Sequence, residues 1–526
     1  MIRSLVFLFA LLVGIFPVQA GPANPSVVPT TPDVSIIRGP YLQLGTPTSI
    51  VIRWRTDQAS DSRVLYGSSP ATLVNSVDDS ALTTEHEIRV GGLTPDTTYF
   101  YAVGTSTHIL SGGEASHFFA TSPMSGTNKA TRIWVLGDQG HSSAAALQVR
   151  DAYHAFTGDR TTDLWLMLGD NAYYTGTDAE FQTAVFDKHA DLLKHSVLWP
   201  VFGNHDGYSA NGATQTGPYF DVFTLPTDGE AGGVPSGTEA YYSFDYGNIH
   251  FVVLDSEDAI VDNPTAMLDW LAADLDATTA GWIIAMWHHA PYSKGSHDSD
   301  SEDKMVQMRV RAVPILEDHG VDLVLTGHSH AYERSFLLDR HYGVSSTLTS
   351  DMILDDGDGS TGGDGPYSKL PGPHHGTVYV TAGNAASLLG GSLDHPAMVT
   401  SLLRLGSLVV DVDGDWMDVV LLDELGDQID TFTIHKEGAA PLPTATSTAT
   451  PTATTTATAT ATATPTHTAT PAATRTATPT AMPTTTSPTI TPSATATASP
   501  SPSPTTTATS VSWRSLYLPM VTKTRY

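Results

Sequence analysis

The sequence predicts an α/β domain with substantially parallel strand pairing, preceded by a small all-β sandwich and followed by a disordered stalk. Three observations predict it. From about Lys129 to about His435, apolar runs of strand length alternate with segments of helix length, the succession that builds parallel sheets. From about Val34 to Thr121, short alternating strands are separated by turn signals such as "TPDT". Between Pro441 and Ser510 the chain is almost entirely Thr, Ala, Pro and Ser.

The opening "MIRSLVFLFALLVGIFPVQAG" carries Arg3 as a positive flank, an apolar stretch from Leu5 to Phe16, and small residues around Ala20. That stretch is shorter than the ~20 residues a bilayer span needs, so residues 1–20 read as a signal peptide that is removed on export, leaving no transmembrane segment. The chain has no cysteine. Thiolate chemistry is therefore excluded, and an exported protein without disulfides fits a bacterial source and must rely on core packing and metals.

The sandwich region, 34–121, is read from "SIVIRWRT", "SRVLYGSS", "EHEIRVGGL", "TYFYAVGT" and "ASHFFATS". No cluster of His, Asp or Glu appears in it, so it reads as a packing or spacing module. The α/β region, 129–435, is read from six apolar runs: "TRIWVLGDQG", "DLWLMLGDNAYY", "VLWPVFGNHD", "IHFVVLDSE", "GWIIAMWHHAP" and "VDLVLTGHSH". Helices are expected between them at "SSAAALQVRDAYHAF", "DAEFQTAVFDKHADLLK" and "DKMVQMRVRAVPILEDHG". The segment 441–510 has Arg475 as its one charged residue and too little apolar bulk to offset the entropy of ordering. Extended at ~3.1 Å per residue it would reach on the order of 200 Å. Residues 511–526, "SWRSLYLPMVTKTRY" for the most part, regain aromatic character and read as a possible surface-attachment or sorting tail.

The 526 residues hold 25 basic against 55 acidic side chains, a formal net charge of -30. A field of that sign repels nucleic-acid backbones and anionic membranes, so no nucleic-acid surface is expected.

Five of the six apolar runs end in metal-ligating residue types: Asp138, then Asp170 and Tyr173, then Asn204 and His205, then His288 and His289, then His328 and His330; the sixth ends in Asp255. One Asp after a strand is an ordinary turn or cap. Five such endings in succession are not explained that way. If the runs are neighbouring strands, their carboxyl ends gather carboxylates, an amide, a phenol and imidazoles where α/β proteins keep their chemistry. The glycine before several of these residues lets the backbone turn tightly beside a bound group.

The set "GDQG", "GDNAYY", "GNHD", "WHHAP" and "GHSH", together with "GPYLQL" and "GLTPDTTYFY", resembles the metallophosphoesterases of the purple acid phosphatase type that carry a fibronectin-III-like amino-terminal domain. The resemblance covers about Arg38 to His435. It implies a four-layer α/β/β/α metallophosphoesterase sandwich with two metals at the strand ends. Carried over by motif, Asp138, Asp170, Tyr173 and His330 would hold the first metal; Asp170 would bridge to the second, completed by Asn204, His288 and His328. Alternation along "HSH" would point its two imidazoles at different ions. A phenolate favours iron(III) at the Tyr173 site, and the Asn, His and carboxylate set suits zinc, manganese or iron(II) at the other. In "HHAPYS" the spacing to Tyr292 selects His288 as the ligand, with His289 behind it or facing substrate.

The implied activity is hydrolysis of phosphate monoesters outside the cytoplasm, on small phosphorylated substrates, with metal-bound hydroxide as nucleophile. His205 and His297 are the candidate imidazoles for the leaving group, and Asp206 is expected to orient His205 or a bound water. A phosphodiesterase or nucleotidase on the same centre, and a non-catalytic surface-binding protein, are the alternatives. The acidic stretch "DMILDDGDGSTGGDGPY" lacks the glutamate that closes a helix-loop-helix calcium site, and His374 and His375 beside it read as incidental.

Overall fold

The structure, a computed structural model, describes residues 34–437. The expected signal segment 1–20, the stalk 441–510 and the tail 511–526 lie outside the described residues. Among the described residues no helix is long and apolar enough to cross a membrane.

The amino-terminal part is all β: β1 (Ile36–Gln43), β2 (Ser49–Gly67), β3 (Asn75–Gly91), β4 (Thr98–Gly104), β5 (Ile109–Gly112) and β6 (Phe118–Ala120). All its pairings are antiparallel. The long β2 pairs with β1 as far as Thr56 and takes up β4 from Arg63, so one strand serves both ends of the unit. Its alternation buries Ile50, Ile52, Trp54 and Val64 against Tyr101, Val103 and Phe119.

The remaining strands are β7 (Thr131–Leu136), β8 (Leu164–Met167), β9 (Val197–Pro200), β10 (Tyr242–Tyr246), β11 (Ile249–Val253), β12 (Trp282–His289), β13 (Leu323–Gly327) and β14 (Tyr332–Ser335). After these come β15 (Leu337–Leu338), β16 (Ile353–Asp355), β17 (Tyr367–Lys369), β18 (Val378–Ala382), β19 (Met398–Leu402), β20 (Gly406–Asp413), β21 (Trp416–Asp423) and β22 (Gln428–Lys436). They form two seven-stranded sheets, ordered β17-β22-β21-β20-β7-β8-β9 and β10-β11-β12-β13-β18-β14-β19, plus a small β15-β16 ribbon. The pairs β7-β8, β8-β9, β11-β12, β12-β13 and β13-β18 are parallel, whereas β20, β21 and β22 run antiparallel. This is the expected α/β metallophosphoesterase fold behind an all-β domain, and all six apolar runs are strands in it.

Alternation along β12 explains the layering. Trp282, Ile284 and Met286 enter the core between the sheets with Trp134, Trp165 and Phe244. Ile283, Ala285 and Trp287 face a second core, formed with Met267, Trp270 and Leu271 of the helix Pro264–Ala277 and with Met308 and Leu316. Because both faces are covered, the strand is apolar throughout. The helix Ala144–Thr157 begins where Ser143 Oγ accepts from the N–H of Ala146, a side-chain cap on an otherwise unpaired donor. In each sheet the parallel strands end on the same side. Their carboxyl ends carry the residues that matter next.

Candidate metal centre

Asp138, Asp170 and Asn204 follow β7, β8 and β9 of one sheet; His288 is the penultimate residue of β12, and His328 and His330 follow β13 of the other. The chain turns abruptly at these ends. Asp138, Asp170 and His328 hold φ of 55°, 50° and 69°, left-handed backbone that Asp and His tolerate better than branched residues. The glycine before each turn is required by space. A Cβ on Gly169 would lie 2.5 Å from His288 Nδ1, and one on Gly203 would lie 2.1 Å from the Asp170 backbone nitrogen.

On one side of the cluster, Tyr173 Oη lies 3.0 Å from Asp138 Oδ1, 2.9 Å from Asp170 Oδ2 and 3.0 Å from His330 Nε2. One phenolic hydrogen cannot serve three such neighbours. His330 Nδ1 is engaged by Ser387 Oγ at 2.9 Å, which leaves Nε2 facing the phenol, 3.3 Å from Asp138. Burial, then Asp138 and Asp170, push the Tyr173 phenol well above its ordinary value. A cation at the same spot would reverse that sign.

On the other side, His288 Nδ1 donates to the carbonyl of Leu168 at 2.8 Å, so Nε2 is free to ligate; it stands 3.0 Å from Asn204 Oδ1 and 3.3 Å from Asp170 Oδ1. Burial works against a charge on this ring, but Asp170 outweighs it and raises His288 to about 10. Asp170 is fully buried, yet His288 and His205 draw its carboxyl below the usual range. Ligand atoms of Asp138, Asp170 and His288 all lie within 4.8 Å of one another. Carboxylate, phenol, amide oxygen and imidazole in this arrangement fit a pair of cations: hard donors gather at the Tyr173 side and mixed nitrogen and oxygen donors at the Asn204 side.

His328 is turned differently from its neighbour in sequence. Its backbone N–H donates to Asp138 Oδ2 at 2.8 Å, and its Nε2 meets Glu302 Oε1 at 2.6 Å, so its Nδ1 is the atom available to an ion. Its ring centroid is 5.0 Å from that of His288. The structure thus gathers Asp138, Asp170, Tyr173, Asn204, His288 and His330 in direct contact and sets His328 alongside them.

His205 lies 3.9 Å from Asp170 through Nε2, while its Nδ1 is fixed on the carbonyl of Tyr174 at 2.7 Å. The His297 ring lies tilted against that of His328, centroids 3.7 Å apart. Of the two places expected for His289 it takes the one behind His288: it is 1% exposed, with Nδ1 on Ser256 Oγ at 2.9 Å. One expectation needs correction. Asp206 does not orient the His205 imidazole. It is fully buried and accepts from the N–H groups of Asn171 and Gly203 and from Asn171 Nδ2, because two tight loops leave those donors without other partners.

Sequence reasoning missed Glu302. One carboxylate takes His328 on Oε1 and His297 on Oε2, at 2.6 and 2.7 Å. Its sole sequence signal is an acidic residue just before the helix Asp303–Gln307. His374, read as incidental, bridges Asp339 and Asp318 at 2.8 Å each.

The calcineurin-like phosphoesterase family model matches residues 131–332, the stretch that carries these strand ends. The chain has the metallophosphoesterase fold of that family. More particularly, the purple acid phosphatase N-terminal domain model matches residues 37–121, and the chain is of the purple acid phosphatase type. Purple acid phosphatase 15 of Arabidopsis thaliana is 30% identical over 278 residues, 48% of this chain and 49% of the relative. An uncharacterized protein of Mycobacterium tuberculosis is 26% identical over 345 residues, 57% of this chain and 62% of the relative. The chain thus spans about half to three-fifths of the length of these curated relatives. The structure of purple acid phosphatase PPD1 from yellow lupin (Lupinus luteus) seeds shares the fold with a TM-score of 0.58 at 17% identity, over 76% of this chain and 75% of that one. The structure of PhoD shares it at 0.53 and 15% identity, over 75% and 89%.

Proposed function

We propose that the protein is an exported phosphatase that hydrolyses small phosphate monoesters at a dinuclear metal centre. The observation that carries this reading is the phenol of Tyr173 wedged between two carboxylates and an imidazole, beside an amide and a second imidazole that share Asp170. Asp138, Asp170, Tyr173 and His330 would hold one ion, iron(III) by the hardness of the phenolate. Asp170, Asn204, His288 and His328 would hold the other, which is zinc, manganese or iron(II). When bound, the ions supply an activated water and a clamp on the phosphoryl oxygens.

The protein's own residues do the rest. His205, with Nδ1 tied to a carbonyl, presents Nε2 to the site and can hand a proton to the departing oxygen; His297, steadied by Glu302, is the second candidate. Burial of Asp138, Asp170 and His288 excludes bulk water from the reacting centre and strengthens each electrostatic contact there. Export rests on the signal-like residues 1–20.

The test is metal quantification with a visible spectrum on purified protein, alongside hydrolysis of 4-nitrophenyl phosphate and bis(4-nitrophenyl) phosphate. Two metals per chain, an iron(III) phenolate band lost in Tyr173→Phe, and faster monoester than diester turnover are expected. Faster diester turnover would assign a phosphodiesterase instead. Absence of both metal and hydrolysis would assign a binding protein.

A further inference from the structure

If His205 delivers a proton to the departing oxygen, the groups bordering His205 on its solvent side border the leaving group. Those groups are aromatic. Tyr174 and Tyr208 are 66% and 67% exposed, and of the described tyrosines they alone are exposed. Both adjoin His205: the Tyr174 carbonyl holds His205 Nδ1 at 2.7 Å, and the Tyr208 ring meets the His205 ring edge-on at 5.4 Å. His141 extends the same wall, stacked on Tyr173 at 4.3 Å and edge-on to Tyr174 at 4.9 Å.

The backbone beneath the two exposed rings is firmly held. Glu180 accepts from the N–H groups of Tyr174, Thr175 and Thr177 at 2.5, 3.2 and 2.9 Å. Tyr208 closes a short turn, Asp206–Tyr208, whose first residue is buried. A single exposed aromatic ring is unremarkable on any surface. Two exposed rings on held backbone, Tyr208 ring-to-ring with His205 and Tyr174 joined to it through a carbonyl, with every other described tyrosine at least partly covered, offer stacking surface to a flat ligand.

We infer that Tyr174 and Tyr208 form a leaving-group subsite that favours phosphomonoesters whose alcohol carries an aromatic ring, as in aryl phosphates and nucleoside monophosphates. This deepens the phosphomonoesterase reading and rests on it. A stacked or edge-on ring contributes a preference of roughly 2- to 12-fold.

The experiment compares Tyr174→Ala, Tyr208→Ala and the matching Phe variants with the wild-type holoenzyme. Measured are kcat/KM for 4-nitrophenyl phosphate, adenosine 5′-monophosphate and glycerol 2-phosphate, and the affinities of phenylphosphonate and methylphosphonate. Each Ala variant should lower the aromatic-to-aliphatic ratio of kcat/KM by roughly 2- to 12-fold, mainly through KM, and Phe should restore it. A larger loss on adenosine 5′-monophosphate assigns nucleotides; a larger loss on 4-nitrophenyl phosphate assigns aryl esters. An unchanged ratio in both Ala variants overturns the subsite. Should no ester be hydrolysed, the phosphatase reading fails by itself. The subsite then stands or falls on whether phenylphosphonate outcompetes methylphosphonate and loses that advantage in the Ala variants.

Discussion

The amino-terminal sandwich and the two-sheet domain treat their charged side chains in opposite ways. In the sandwich, polar groups reach outward to the neighbouring domain. Arg55 grips both oxygens of Asp178 at 2.7 and 2.8 Å, Arg38 meets the same carboxylate at 2.9 Å, and Arg53 donates to the carbonyl of Asp221 at 2.6 Å. Tyr41 Oη and Gln43 Nε2 reach the carbonyls of Val222 and Leu198. In the two-sheet domain, charged groups turn inward and meet one another at the strand ends. Burying a charge is costly unless it is paired. One domain meets that cost by docking and the other by gathering carboxylates and imidazoles in contact at the strand ends. The sandwich thus docks on the two-sheet domain, with Asp178 opening the helix that follows the Tyr173 loop.

This contrast can be broken most severely at Asp170, which both sides of the cluster share. Asp170→Ala should abolish turnover and leave the purified protein short of metal; retained turnover would remove the bridging role. Next, Glu302→Ala should weaken metal binding about 10- to 100-fold, the usual effect of losing a carboxylate that orients a ligating histidine. Equilibrium dialysis with zinc or manganese reads this directly, and Glu302→Gln should lose less. Full affinity in the Ala variant would show that His328 needs no such support.

The converse experiment is Arg38→Ala. Arg38 is buried, lies over the Phe186 ring at 4.5 Å and pairs with a half-exposed carboxylate, so its loss should cost about 2 kcal/mol of stability, mostly through packing. Denaturant unfolding should register that loss with metal stoichiometry unchanged. A variant that sheds metal would extend the centre's support into the sandwich.

The smallest effects are of pH, and the two domains should respond with opposite signs. His86 in the sandwich is stacked on Trp54 and bonded to Thr56 and Ser62; burial lowers it to about 4. Its folded value lies below the unfolded one, so the stability it contributes is complete above about pH 6.5 and is lost as pH falls toward 4. His250 lies between Asp245 and Asp274 at 2.8 and 2.9 Å. Burial opposes its charge, but the hydrogen bonds it donates to the two carboxylates outweigh burial and raise it to about 9. Its contribution is complete below about pH 6.5 and is lost as pH rises through 9. Thermal unfolding across pH should flatten on the acid side in His86→Asn and on the alkaline side in His250→Asn. The same slope in variant and wild type would discount the corresponding histidine.

Much of the site was legible because a buried parallel strand leaves an unbroken apolar run, and the glycine and polar residue that end it stand out against that run. Asp138, Asp170, Asn204, His288, His328 and His330 all follow that grammar. Glu302 does not: it lies in a polar stretch between elements, where an acidic residue is ordinary. Adjacency of Asp206 to His205 suggested an interaction that the structure does not make: the carboxylate accepts from Asn171 and Gly203 instead. His289 was left between two places, behind His288 or facing substrate, and the structure selects the first. Alternation along β12 sends it to the opposite side from His288, toward Ser256.

By itself, the sequence determined the succession of strands and helices, the apolar cores and the residue types at each strand end, because periodicity and residue chemistry are local properties. Tertiary structure alone decided that the ends of β7, β8 and β9 meet those of β12 and β13, that Arg38 and Arg55 close on Asp178, and that two exposed tyrosines share one histidine. Those are distances between residues far apart in the chain. They follow from how two sheets pack face to face, which no short window of sequence encodes.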